Sequence, residues 1–156
     1  MNQLEDPAII EALCDASSAG VQIDLIVRGF CCLCPGIPGR TENIRVRSII
    51  GRFLEHSRVF HFANGMERPV EGDFFIGSAD WMFRNLSKRV EVVTPVDDAG
   101  AKSRLWEFLD ICLRDRRQAW MLDADGVWSR LHPDGEIGAE GTHQAMMNLA
   151  RSRAEL

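Results

Sequence analysis

Apolar positions recur at helical spacing over IIEALCDAS, residues 9–17, just after Asp6-Pro7, a carboxylate and proline that suit an N-cap and first turn. The spacing predicts a helix running to Ala19-Gly20. VQIDLIV, residues 21–27, is a nearly continuous apolar run and predicts a buried strand that delivers Arg28 and Gly29 at its end. CCLCPGIPGR, with two prolines and two glycines, predicts a loop. Thr41 then caps a predicted helix over ENIRVRSIIGRFLE, residues 42–55, whose apolar face holds Ile44, Ile49, Ile50 and Phe53 and which carries Arg45, Arg47 and Arg52.

Shorter periods follow. RVFHF (58–62), FFIGS (74–78) and RVEVVTPV (89–96) predict strands, joined by the turn ANGMERPVEGD and the connection ADWMFRNLSK. Residues 99–118 predict a long helix with Leu105, Phe108, Leu109 and Cys112 on its inner side, and WMLDADGVWSRL predicts a hairpin turning at Asp125-Gly126. Strands interleaved with helices predict an α/β domain with a mixed β-sheet flanked by helices. This domain is expected over residues 1–131. Residues 132–156 are expected to be a polar, flexible connection and a C-terminal helix starting at Thr142, weakly docked or frayed.

At 156 residues and 46% hydrophobic, the chain suits one domain with a real core. No apolar run approaches the roughly 18 residues of a membrane span, and MNQLEDP does not open like a signal peptide, so a cytoplasmic protein without an integral membrane segment is expected. Five cysteines are odd in number, which argues against a disulfide framework. Cys31, Cys32 and Cys34 cluster, but no second pair completes a zinc site, and they read as loop thiols with no metal. The net charge of −5 is uneven: residues 28–89 carry ten bases against six acids. That middle third is where an anion would go, although sixteen arginines to two lysines also suits a GC-rich genome.

Arg28 at the end of the first strand, His56 before the second and GSADWMFRN (77–85) after the third are candidates for one site at a sheet edge. Ser78 and Asn85 offer neutral hydrogen bonds, and Arg84 and Arg89 add charge. A histidine beside arginines suits phosphoryl chemistry, as acid/base or as nucleophile. The plainer alternatives are a capping or surface role for His56 and likewise for His61, His132 and His143, a solvated helix face for Arg45 and Arg52, and core anchoring for Trp81 and Phe83.

DLIVRGFCCLCPGIPGRTENIRVRSIIGRFLEHSRVFHFANG and FFIGSADWMFRNLSKRVEVVTPV closely resemble the C-terminal catalytic domain of bacterial polyphosphate kinases of the first type, over roughly residues 2–131. The resemblance implies a phospholipase D-like fold, with His56-Ser57-Arg58 and Gly77-Ser78-Ala79-Asp80 where that superfamily has His-x-Lys and Gly-Ser-x-Asn. It implies that Arg28, of the LIVRG motif, and His56, of the LEH motif, contact nucleotide phosphates, while a histidine in a preceding domain takes the phosphate from ATP and passes it to polyphosphate. Arg45, Arg47, Arg58, Ser78, Arg84 and Asn85 are second-rank phosphate ligands on this reading. ATP/ADP with Mg2+, polyphosphate and upstream kinase domains are the implied partners, with the magnesium ligands in an upstream domain and no nucleic acid. The oligomeric state is open, with a homo-oligomer among the alternatives. A stand-alone polyphosphate or nucleotide binding module without turnover is the main alternative, and a dimeric phosphodiesterase with paired His56 residues is a further one.

Overall fold

The computed structural model describes residues 1–135 and 139–155. Helix α1, Pro7–Ser18, starts as its cap dictates: the Asp6 carboxylate accepts from the amides of Ala8 and Ile9, each at 3.1 Å, with Pro7 in the first turn. Strand β1, Ile23–Ile26, is shorter than the apolar run that contains it.

The helix expected over residues 42–55 is replaced by a strand. Strand β2, Ile44–Ile49, lies parallel to β1, with Leu25 opposite Val46. Ile44, Val46 and Ser48 are buried, Arg45 is exposed and Arg47 half-buried, a two-residue alternation that a helix cannot satisfy. Thr41 caps nothing. Its hydroxyl donates to the Cys34 carbonyl at 2.8 Å and accepts from the Ile37 amide at 2.9 Å, tying the 34–41 loop together.

The single mixed sheet that was expected is divided in two. Strands β1 and β2 continue into β6, Ala119–Leu122, and β7, Trp128–Arg130, in the order β1-β2-β6-β7, with the last two pairings antiparallel. The hairpin turns at Asp125-Gly126, as the sequence predicts: the Asp123 carboxylate accepts from Asp125 and Val127, and Gly126 supplies the positive φ of 80°. The second sheet is antiparallel, β3-β4-β5, built from Val59–Phe62, Asp73–Gly77 and Val93–Pro95. Helix α2, Phe83–Lys88, occupies the connection at 79–88, and only three residues of the run at 89–96 form β5.

Helix α3, Ala99–Arg114, ends earlier than the pattern predicts, because Asp115 turns away to accept from the amides of Arg117 and Gln118 at 2.7 and 2.8 Å. The same carboxylate accepts from the Thr142 amide and hydroxyl at 2.6 and 2.7 Å. This anchors helix α4, Thr142–Ala154, whose first residues Thr142 and His143 are buried. The docked first turn differs from the weak attachment expected there. Part of the expected flexible connection, residues 136–138, lies outside the described residues.

Leu25, Val27, Ile44, Val46, Leu4, Leu33 and Leu122 form the core, packed against Ile9, Ile10 and Leu13 of α1. Arg47, whose side chain alternation sends to the other face, donates to the carbonyls of Cys112 and Leu113 at the end of α3. The four-stranded sheet thus lies between α1 and α3. The second sheet leans on α3 through His61, whose ring sits 4.5 Å from that of Phe74 and 5.1 Å from that of Trp106. Residues 1–5 link the two sheets, with Leu4 bridged in parallel to both Cys31 and Trp81. Among the described residues no helix is long and apolar enough to cross a membrane.

Candidate functional site

Strand β1 ends two residues before Arg28, and the long 50–58 segment carries His56 back past it. Arg28 is half-buried, and its Nη1 donates to the carbonyl of Glu55 at 3.1 Å. The guanidinium therefore braces the residue immediately before His56. Burial raises the Glu55 carboxyl, but hydrogen bonds from Ser57 and the His56 amide outweigh it and leave Glu55 below its ordinary value.

His56 is exposed, and its ring and backbone are both held by Arg58: Nη1 lies 3.2 Å from Nδ1 and donates to the His56 carbonyl at 2.6 Å. A guanidinium has no acceptor, so Nδ1 accepts and the proton of the neutral ring sits on Nε2. The ring offers a donor to solvent. Its Nδ1 lone pair is engaged.

Arg58 is fixed in turn by Asp80 at the end of β4, Nε to Oδ1 at 3.2 Å and Nη2 to Oδ2 at 3.0 Å. This two-pronged geometry is the one a guanidinium and carboxylate prefer. Asp80 also accepts from the Asn2 amide at 2.7 Å. Burial pushes the Asp80 carboxyl up, yet Arg58 and Asn2 overcome it and hold the group below its usual range.

The other sequence candidates divide. Ser78 donates to Glu91 and Asn85 Nδ2 reaches the same carboxylate at 2.6 Å, so both hold the start of the β5 segment. The Ser78 bond, followed by that of Asn85, keeps Glu91 below its ordinary value. Arg45 forks onto Asp24 with both bonds at 2.8 Å. Arg47 caps α3, and burial lowers its pKa. Arg84 and Arg89 are exposed and form no hydrogen bond or ion pair among the described residues. The structure thus brings Arg28, His56 and Arg58 to one junction, commits Arg45, Arg47, Ser78 and Asn85 to intramolecular partners, and leaves Arg84 outward.

Two residues that the sequence reading left out of the candidate site shape this junction. Asp80 was visible only as the fourth residue of GSAD, and its pairing with the third residue of HSR is the missed signal. His143 lies far along the chain, yet its Nδ1 accepts from the Phe53 amide at 3.2 Å and its ring packs on Phe53, 5.4 Å between centroids. Gly51 permits this approach, since a Cβ there would meet His143 Nδ1 at 2.5 Å and Gln118 Nε2 at 1.9 Å. His61 donates from Nε2 to the Pro69 carbonyl at 2.9 Å and belongs to the packing around α3.

Among the described residues no three His, Cys, Asp or Glu side chains are placed to hold a metal ion. Cys31 is half-buried, its thiol raised by that burial, while Cys32 and Cys34 are exposed.

The family model "Polyphosphate kinase C-terminal domain 2" matches residues 1–140. A polyphosphate kinase of Thermosynechococcus vestitus is 50% identical over 147 residues, covering 94% of this chain and 20% of that protein. One of Synechocystis is 56% identical over 133 residues, 85% of this chain and 18% of that protein. The crystal structure of polyphosphate kinase from Porphyromonas gingivalis superposes with a TM-score of 0.85 at 39% identity, over 98% of this chain and 23% of that one. The chain spans about a fifth of the length of the curated relatives it matches.

Proposed function

The chain belongs to the polyphosphate kinase C-terminal domain 2 family, and from that premise we propose that Arg28 and His56 grip phosphate oxygens during reversible transfer of the terminal phosphate of ATP to polyphosphate. The observation that carries this reading is the bond from Arg28 to the Glu55 carbonyl, which sets a guanidinium against the segment presenting His56. In phosphoryl transfer negative charge spreads over the equatorial oxygens, and fixed cationic donors stabilise it without reorganising.

His56 acts as a donor or proton carrier through Nε2. With Nδ1 engaged by Arg58 and Nε2 carrying a hydrogen, the neutral ring has no lone pair aimed outward to attack phosphorus. The phosphorylated histidine is accordingly assigned to a preceding domain of the longer kinase, as are the magnesium ligands that accompany ATP. Arg58 positions His56, with Asp80 holding Arg58. Arg84 is the best placed of the second-rank phosphate ligands, being exposed and unengaged among the described residues. A cytoplasmic setting and a phospholipase D-like arrangement of the two sheets belong to the same reading.

Fusing this chain to the upstream region of the Thermosynechococcus vestitus relative and measuring polymer synthesis from ATP and magnesium tests it. Arg28→Ala and His56→Ala are each expected to lower the rate about 100-fold, the usual loss for one preorganised donor. Unchanged synthesis by His56→Ala overturns the assignment. The exposed Arg84 and Arg89 favour a second reading, binding of polyphosphate by the domain alone. Calorimetry at low salt distinguishes it, since a polyanion held at several contacts dissociates steeply as salt rises.

A further inference from the structure

The nine residues between β2 and β3, Ile50 to Arg58, form neither helix nor strand, yet they present His56. Such a stretch keeps one shape only where its backbone is tied down. Beside His56, Arg28 donates to the Glu55 carbonyl and Arg58 to that of His56 itself. At the far end the Ile50 amide donates to the Gln118 carbonyl at 3.0 Å. Among the described residues, the only backbone hydrogen bond between those two anchors runs from the Phe53 amide to His143 Nδ1, at 3.2 Å. Without it residues 51–54 would be untied. Chain reaches up to about 3.6 Å per residue, ample to carry His56 out of line with a phosphate.

The imidazole is a firm post. His143 is 5% exposed, and its own amide donates to Gln118 Oε1 at 3.1 Å. Gln118 thus holds the start of α4 with its side chain and the start of the segment with its carbonyl. Thr142 is fixed twice by the Asp115 carboxylate, and toward the other end of α4 Arg153 pairs with Glu107 of α3. Two glycines leave room for the contact. Gly51 has no Cβ to press on Nδ1, and Gly141, with a φ of 81°, has none to meet Gln118 Oε1 at 2.9 Å.

The ring has no second use among the described residues. An amide donor requires a bare Nδ1, so the proton of the neutral ring sits on Nε2, and that atom is buried without a hydrogen-bond partner. A buried polar atom left unpaired costs stability. Leucine would fill the space without that cost, so what histidine adds here is the acceptor offered to Phe53. Phe53 itself is 49% exposed, too open for packing alone to hold the segment.

We propose that His143 is a positioning residue for phosphoryl transfer, fixing through the Phe53 amide the segment that presents His56. Helix α4, which starts at Thr142 while the family match ends at residue 140, thereby serves the site rather than only closing the fold. His56 is held from two directions, by the Arg58–Asp80 pair of the second sheet and by His143 of α4. The kinetic consequence rests on the role given to His56 above; the hold on the segment does not.

Three variants separate the acceptor from its bulk. His143→Leu keeps the volume and loses the acceptor, His143→Asn places Oδ1 where Nδ1 stood, and Gly51→Ala leaves the imidazole intact but sets a Cβ 2.5 Å from Nδ1. NMR relaxation of the chain reads the order parameters of the Leu54, Glu55 and His56 amides. These are expected to fall from about 0.85 in the parent to below about 0.6 in His143→Leu and Gly51→Ala, and to keep the parent value in His143→Asn. The Val46 amide, inside the first sheet, reports that each variant is folded, and Gly51→Ala decides alone if His143→Leu is not. In the fusion with the upstream region of the Thermosynechococcus vestitus relative, His143→Leu is expected to lower kcat about 10-fold with the KM for ATP unchanged, the mark of a group misplaced in the transition state. His143→Asn should restore it. On a His56→Ala background His143→Leu should cost nothing further, because a positioning residue acts only through what it positions. Unchanged order parameters in His143→Leu and Gly51→Ala, or His143→Asn as mobile as His143→Leu, overturn the hold. A full further loss on the His56→Ala background overturns the link from His143 to His56. Unchanged synthesis by His56→Ala alone removes the role of His56 in transfer and with it the kinetic consequence, while the order parameters still show whether α4 holds the segment.

Discussion

The guanidinium of Arg58 holds both carboxylate oxygens of Asp80, tying the segment that presents His56 to the end of β4. Only 15% of the Arg58 side chain and 4% of that of Asp80 are exposed. Removing one partner strands the other's charge in poorly solvated surroundings. Arg58→Ala is expected to destabilise the chain by about 3 kcal/mol, and Asp80→Asn by less because the amide still accepts a hydrogen bond. Urea unfolding followed by tryptophan fluorescence measures both. A loss for Arg58→Ala no larger than that of an exposed pair, below about 1 kcal/mol, would contradict the picture.

The same pair sets an acid limit. Burial raises the Asp80 carboxyl, but the bonds from Arg58 and Asn2 lower it further, so the folded value lies below the ordinary 3.8. A depressed folded value means that the stabilisation is complete above 3.8 and disappears as pH falls through the lower folded value. The stability difference between the parent chain and Asp80→Asn should accordingly shrink as the pH falls below the ordinary 3.8. A difference that stays constant as the medium is acidified from neutral pH until the chain unfolds counts against it.

Asp115 accepts four hydrogen bonds, from the amides of Arg117, Gln118 and Thr142 and from the Thr142 hydroxyl. Its side chain closes the end of α3 and starts α4 at once. Asp115→Ala is expected to cost about 3 kcal/mol, the sum of several orphaned donors partly rescued by water. Exchange of the α4 amides should rise more than that of β2 amides, and uniform acceleration would show that α4 docking does not depend on this group.

The cysteines should separate by accessibility. Cys32 and Cys34 are exposed, whereas Cys14 and Cys112 are buried and burial pushes the Cys112 thiol up to about 12. At pH 8 a disulfide reagent should modify the two exposed thiols rapidly and Cys112 only after denaturation. Mass mapping of the labelled peptides checks this; early labelling of Cys112 would refute the buried assignment.

Where a few neighbouring residues decide the structure, the sequence was readable. Asp6-Pro7 started α1 and Asp125-Gly126 turned the hairpin, because caps and turns are satisfied within three or four positions. Residues 42–55 failed for the opposite reason. Ile44, Ile49, Ile50 and Phe53 can be placed on a helical face, and only pairing with β1, some twenty positions earlier, selects the alternation that buries Val46 instead. At the candidate site Arg28 and His56 stood out by their places at the ends of predicted strands, and the polyphosphate kinase resemblance added to this. Their supports did not, because Arg58 to Asp80 and Phe53 to His143 are contacts across 22 and 90 positions. No local pattern encodes those distances.

Leu4, caught between Cys31 and Trp81, imposes an order in time. During synthesis it leaves the ribosome 77 residues before Trp81, which at about 5–20 residues per second is roughly 4–15 s of waiting without its second flank. An early apolar segment must stay loose that long, so this domain closes only after translation has passed β4, and a chaperone that shelters newly made hydrophobic chain has a defined window in which to act.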